Sequence, residues 1–71
     1  MTFAICFDNE GYEASLELRK IYQVLTPEAN DPKGYLRIVD ESGEDYLYSA
    51  KAFEMIDVPP RTERKLIATL R

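Results

Sequence analysis

Residues 34–49, GYLRIVDESGEDYLYS, constrain the fold more than any other part of this chain. Two runs rich in β-branched, aromatic and leucine residues flank a short polar turn, Glu41-Ser42-Gly43-Glu44. Apolar alternation on both sides of a glycine-containing turn is a strong hairpin signal. It predicts strands over 35–40 and 45–49, and so places an antiparallel pair in the middle of a very short chain. That decides the fold class without deciding an activity.

A chain of 71 residues makes one domain, and a domain of this size buries only about 60% of its unfolded surface. A stability of about 0.05–0.15 kcal/mol per residue leaves little with which to hold a strained, dry active site. The apolar fraction of 45% argues against wholesale disorder. No apolar run reaches the roughly 20 residues of a membrane span. The opening MTFAICFD has neither a basic start nor a long apolar stretch, so it does not read as a signal peptide. A cytoplasmic address is the expectation, with no membrane contact.

There is no histidine, which excludes Ser-His-Asp and Cys-His catalysis and removes the commonest zinc ligand. The single cysteine, Cys6, has no disulfide partner in the chain and belongs to no Cys-rich metal site. A reactive thiol needs a neighbouring cation or a helix start to lower its pKa, and nothing local supplies either. Cys6 therefore reads as a small packing residue. No catalytic residue, metal ligand or cofactor is assigned, and the chain is not expected to be an enzyme.

Residues 2–8 alternate and read as a strand, followed by a turn at Asp8-Asn9-Glu10-Gly11. Residues 14–25 are ambiguous: propensity and the spacing of Leu18, Ile21, Tyr22 and Leu25 favour helix, whereas Leu16/Leu18 and Tyr22/Val24 mark two short alternating stretches. Residues 26–34 form a loop closed by Pro32 and Gly34. A last strand over 53–58 is stopped by Pro59-Pro60, neither of which donates to a ladder. In the tail, 59–71, Leu66, Ile67 and Leu70 fall at helical spacing. The two prolines read as a stiff spacer that points this helix away from the last strand, which favours docking on a second copy.

The order CFDNEGYEASLELRKIYQVL, GYLRIVDESGEDYLY and AFEMIDV, over about residues 4–58, resembles a group of small bacterial and phage-associated SH3-like barrel proteins. The resemblance implies a small SH3-like antiparallel barrel of about five strands over 1–58, a mainly all-β fold, with a short C-terminal helix over 59–71. It also tips 16–25 towards extended structure. Two positions depart from the pattern. Arg19 stands where it prefers glycine, a residue suited to a left-handed turn, and Ser49 stands where it has proline.

Three constellations bear on function. Asp40, Glu41, Glu44 and Asp45 surround the hairpin turn without calcium-loop spacing, and read as a solvated turn whose side chains splay outward. The tyrosines Tyr12, Tyr22, Tyr35, Tyr46 and Tyr48 suggest an aromatic groove of the kind that reads extended peptides. Tyr35 and Tyr46 alternatively read as cross-strand neighbours that cover the barrel. Charge is split: residues 1–57 carry five Lys/Arg against twelve Asp/Glu, a net of −7, and residues 58–71 carry a net of +3. An acidic barrel repels phosphates, which argues against nucleic acid, and the tail cations are expected to lie against such a barrel, the chain's own or a neighbour's. The leading expectation is a non-catalytic module that binds a protein partner or itself through Tyr22, Tyr35, Tyr46, Tyr48, Leu66, Ile67 and Leu70. A nucleic-acid-associated SH3-like barrel is the alternative.

Overall fold

The structure, a computed structural model, describes residues 1–69; Leu70, assigned above to the binding stripe, lies outside them. Five strands, β1 (Thr2–Cys6), β2 (Ile21–Leu25), β3 (Tyr35–Val39), β4 (Asp45–Ser49) and β5 (Phe53–Ile56), form one antiparallel sheet in the order β4-β3-β2-β1-β5. A 3-10 turn, Ala50–Ala52, joins β4 to β5, and a helix, α1 (Pro60–Thr69), ends the described chain. Among the described residues, no helix is long and apolar enough to cross a membrane.

The connection from β4 to β5 dictates the sheet's shape. These strands are its two edges, and a flat five-stranded sheet would hold its edges about 19 Å apart. Four residue steps from Ser49 to Phe53 reach about 15 Å when fully extended, and a 3-10 turn reaches less. The sheet must therefore curl until its edges approach beside this turn, where the Tyr48 and Phe53 rings lie 6.3 Å apart. β2 makes the bend, pairing with β1 along Ile21 to Val24 but with β3 only through Val24 and Leu25. The curl stops short of closure: among the described residues β4 and β5 share no ladder. The expected barrel is thus a curled sheet with two free edges.

Alternation sorts the side chains onto the two faces. The concave face gathers Ala4, Cys6, Tyr22, Val24, Ile38, Tyr48 and Phe53 into one core, with Leu36 and Ala52 packed at its margin. Leu16 completes this core from the β1–β2 connection and is fully buried. Residues 8–20 are accordingly neither helix nor strand but a folded loop. Asn9 Nδ2 donates to the Leu16 carbonyl at 2.9 Å, Leu16 N donates to the Tyr12 carbonyl at 2.9 Å, and Arg19 N closes the loop on the Cys6 carbonyl at 2.6 Å. Arg19 adopts φ 62°, so the left-handed turn forms without glycine despite the steric cost of a Cβ there. Cys6 is fully buried, and burial pushes its thiol pKa up, as a packing residue requires.

The second face carries Phe3, Ile5, Ile21, Gln23, Leu25 and Ile56 by register. α1 lies across it: Leu66 and Thr69 share a cavity with Ile21, Gln23 and Val39, and Glu63 pairs with the Met1 amino group at 2.5 Å. Pro59-Pro60 therefore does not direct the helix away from its own sheet. Pro60 opens the helix, and Pro59 supplies the carbonyl that Glu63 N caps at 2.9 Å, a position where the missing proline N–H is no loss. The apolar stripe divides, with Leu66 half-buried and Ile67 45% exposed. Among the described residues, Arg61, Arg64 and Lys65 enter no ion pair with their own sheet.

Candidate functional site: a tyrosine-walled groove beside a buried carboxylate

The β3–β4 turn positions the site. Asp40 follows the last residue of β3, and its backbone closes the turn: Asp40 N donates to the Glu44 carbonyl at 3.1 Å, and Gly43 N to the Asp40 carbonyl at 3.0 Å. Gly43 sits at φ 85°, a conformation that glycine adopts freely and that lets a turn this tight form. The Asp40 side chain folds back into the turn, a habit of aspartate at such positions. Its Oδ1 accepts from Ser42 N at 2.9 Å and Ser42 Oγ at 2.6 Å, and its Oδ2 accepts from Tyr48 Oη at 2.7 Å.

Asp40 is thereby only 6% exposed. The splayed, solvated turn expected from the sequence is corrected here: one of its four acids points into the protein and another is tied to β2. Burial alone would raise the Asp40 pKa, but the bonds from Ser42 and Tyr48 outweigh it and hold the carboxyl below its ordinary range. On the other side of the bond, burial and the Asp40 carboxylate push the Tyr48 hydroxyl up to about 12. The pair is an ionised carboxylate gripped by a neutral phenol.

Around it lies an open groove of about 410 Å³ walled by Tyr12, Tyr46 and Tyr48, with Ser15, Ser42, Leu47 and Asp40 completing the lining. The Tyr12 ring meets Tyr48 edge-on at 5.1 Å and 84°, a favourable aromatic geometry. Tyr48 is buried, while Tyr12 and Tyr46 stand 54% and 50% exposed at the rim. Tyr46 Oη donates to Glu44 Oε1 at 3.2 Å.

Glu41, next in the chain, joins a different cluster. Its Oε2 accepts from Lys20 Nζ at 2.6 Å and from Tyr22 Oη in a short bond. Tyr22 Oη accepts in turn from Glu17 N at 2.8 Å, and Lys20 Nζ lies 5.6 Å from the Tyr22 ring centroid. The Lys20 and Tyr22 bonds hold Glu41 below the usual carboxylate range. This cluster borders a larger groove, about 540 Å³, between β2, the turn and the end of α1. A third cluster staples the 26–34 loop to the hairpin, with the Arg37 guanidinium on Asp31 at 2.5 and 3.0 Å and on Asp45 at 2.9 Å.

Of the binding residues expected from the sequence, Tyr46 and Tyr48 meet in the groove. Tyr22 is buried in the Glu41 cluster, and Leu66 packs towards the sheet. Tyr35 is exposed but does not neighbour Tyr46: Tyr35 pairs with Ser49 and Tyr46 with Ile38, which puts the two tyrosines on opposite faces. Ile67 faces outward, away from the groove's lining. Tyr12 and Asp40 are the additions. The Asp40-Glu41-Ser42-Gly43 order was the available signal for Asp40, because an aspartate two residues before a serine in a turn tends to accept from it. No sequence signal brings Tyr12 across to Tyr48. Comparison with known proteins gives no match: no family model, no curated protein and no solved structure is significantly similar to this chain.

Proposed function

We propose that the chain is a non-catalytic protein-interaction module built on an open, SH3-like curled sheet, which holds an extended partner segment in the groove of Tyr12, Tyr46 and Tyr48. The observation that carries this reading is the exposure of two tyrosine rings at the rim of a groove floored by a buried third. Tyrosine combines apolar contact area with few rotatable bonds and a wet hydroxyl, and it is enriched where proteins bind one another. The SH3-like assignment draws support from the strand order, the curl and the 3-10 turn linking the two edge strands. Self-association through the helix is a narrower form of the same reading.

Panning a random peptide display library on the folded chain tests the proposal. Enriched sequences whose binding is lost in Tyr12→Ala and Tyr46→Ala are expected, because both rings are exposed and their removal leaves the core intact. A library that enriches nothing contradicts it. The nucleic-acid reading draws on the three exposed cations of α1, Arg61, Arg64 and Lys65, and salt-dependent binding of an oligonucleotide that is lost on changing these residues would favour it.

A further inference from the structure

Among the described residues, Asp40 is a buried carboxylate without a counter-ion. None of the ion pairs among the described residues includes it. Of the cations nearby, Lys20 is engaged by Glu41 and Glu17, and Arg37 by Asp31, Asp45 and Glu28, while Arg19 borders the larger groove and makes no ion pair with Asp40. A charge removed from water is costly unless it is paired and fully hydrogen-bonded.

The bonding of Asp40 is incomplete in one place. An ionised carboxylate offers about four acceptor positions. Oδ1 fills its share with Ser42 N and Ser42 Oγ, whereas Oδ2 takes a single bond from Tyr48 Oη. The unused position is therefore on Oδ2, the oxygen beside Tyr48, and both residues line the groove.

We propose that this groove takes an arginine side chain from the partner segment, with Asp40 as its counter-charge and the exposed faces of Tyr12 and Tyr46 as its walls. This rests on the interaction-module reading and names the chemistry of the partner. A guanidinium fits the site on three counts. It is planar and stacks on aromatic faces, which attract cations through their quadrupole. Its N–H groups supply the donor that Oδ2 lacks, in a charge-assisted bond. It loses less hydration than an ammonium does on entering a half-enclosed groove. The surroundings match, since residues 1–57 carry a net charge of −7, which draws a basic segment to this surface and repels phosphates. Asp40 also borders the neighbouring larger groove, but that groove already holds two cations, Lys20, which neutralises Glu41, and Arg19, and it lacks the exposed rings of Tyr12 and Tyr46.

The test is an array of ten-residue peptides with random flanks and one central position fixed as arginine, or as citrulline, which keeps the shape and loses the charge. Arginine peptides are expected to bind about tenfold or more tightly than their citrulline counterparts. Tyr46→Ala should weaken the arginine peptides, and Asp40→Asn should erase the difference between the two series. Circular dichroism establishes that each variant is folded, and Tyr12→Ala stands in should Asp40→Asn not fold. Equal binding of citrulline and arginine peptides overturns the inference and leaves the interaction module standing. Binding of neither series overturns both readings, and an oligonucleotide competing at the same tyrosines overturns the arginine assignment.

Discussion

Asp40 and Glu41 are adjacent in the chain, and each accepts a hydrogen bond from a buried tyrosine, yet the two pairs are built for different ends. Glu41 receives Tyr22 and Lys20 together, so its charge is cancelled where it sits and its cluster ties β2 to the hairpin turn. Asp40 receives Tyr48 and Ser42, all neutral donors, and its charge remains uncancelled beside an open groove. A tyrosine–carboxylate pair closed by a lysine is a structural clasp. The same pair without the lysine suits the proposed capture of a cation, because no described residue cancels its charge.

The largest difference is expected from deleting each carboxylate. Asp40→Ala strands the Tyr48 hydroxyl in a buried site and removes the acceptor that folds the turn around Ser42, for a loss of about 2–3 kcal/mol, a large part of the stability of so small a domain. Glu41→Ala frees Lys20 at the surface and leaves the Tyr22 hydroxyl facing the open groove that it borders, and should cost about 1 kcal/mol. Urea unfolding of the two variants makes the measurement; equal losses would break the comparison.

Removing the tyrosine hydroxyls probes the same asymmetry from the other side. Tyr48→Phe takes from Oδ2 the one donor it has among the described residues, and should cost about 2 kcal/mol. In Tyr22→Phe the carboxylate keeps Lys20, so a loss of about 1 kcal/mol is expected. A larger loss for Tyr22→Phe would show that Glu41, not Asp40, depends on its phenol.

Smaller effects follow from pH. Both carboxyls are held below their ordinary values in the folded state, so their contribution is present above the unfolded carboxylate range of about 4 and is lost as pH falls through the folded values. Lys20→Met should return Glu41 towards its ordinary value and shrink its share of this acid loss, leaving that of Asp40 unchanged. Tyr48 runs in the opposite direction. Its pKa is raised to about 12, so its contribution is full below about 10, the ordinary phenol value, and is lost as pH rises from there through 12. Acid and alkaline unfolding curves of the Lys20→Met and Tyr48→Phe variants check both signs.

The parts of the fold that local chemistry dictates were legible in the sequence. The hairpin was readable from its alternation and its Ser-Gly turn, β1 from alternation alone, and the stop before α1 from Pro59-Pro60. Residues 14–20 were not readable, because Leu16 is buried by a core that other strands supply, and a loop folded around one leucine has no period, whereas the Tyr22/Val24 alternation does fall in β2. The left-handed turn at Arg19 was marked only by the resemblance, which has glycine there; two backbone bonds, Arg19 N to the Cys6 carbonyl and Cys6 N to the Lys20 carbonyl, hold it in spite of the side chain. At the site, the tyrosines were visible as candidates, but register decides which of them meet, and it separates Tyr35 from Tyr46. Asp40 was read as solvated because acids at turns usually are; its burial follows from Tyr48 arriving across the hairpin.

The central claim is that of two neighbouring carboxylates one is closed and one awaits a cation. Carboxyl-carbon NMR of the folded chain, titrated with N-acetylarginine methylamide, tests it most directly. The Asp40 carboxyl and the rings of Tyr12 and Tyr46 should shift together along one binding curve while the Glu41 carboxyl stays in place. A shift at Glu41 with Asp40 unmoved, or no shift at either up to the solubility of the probe, would contradict the account.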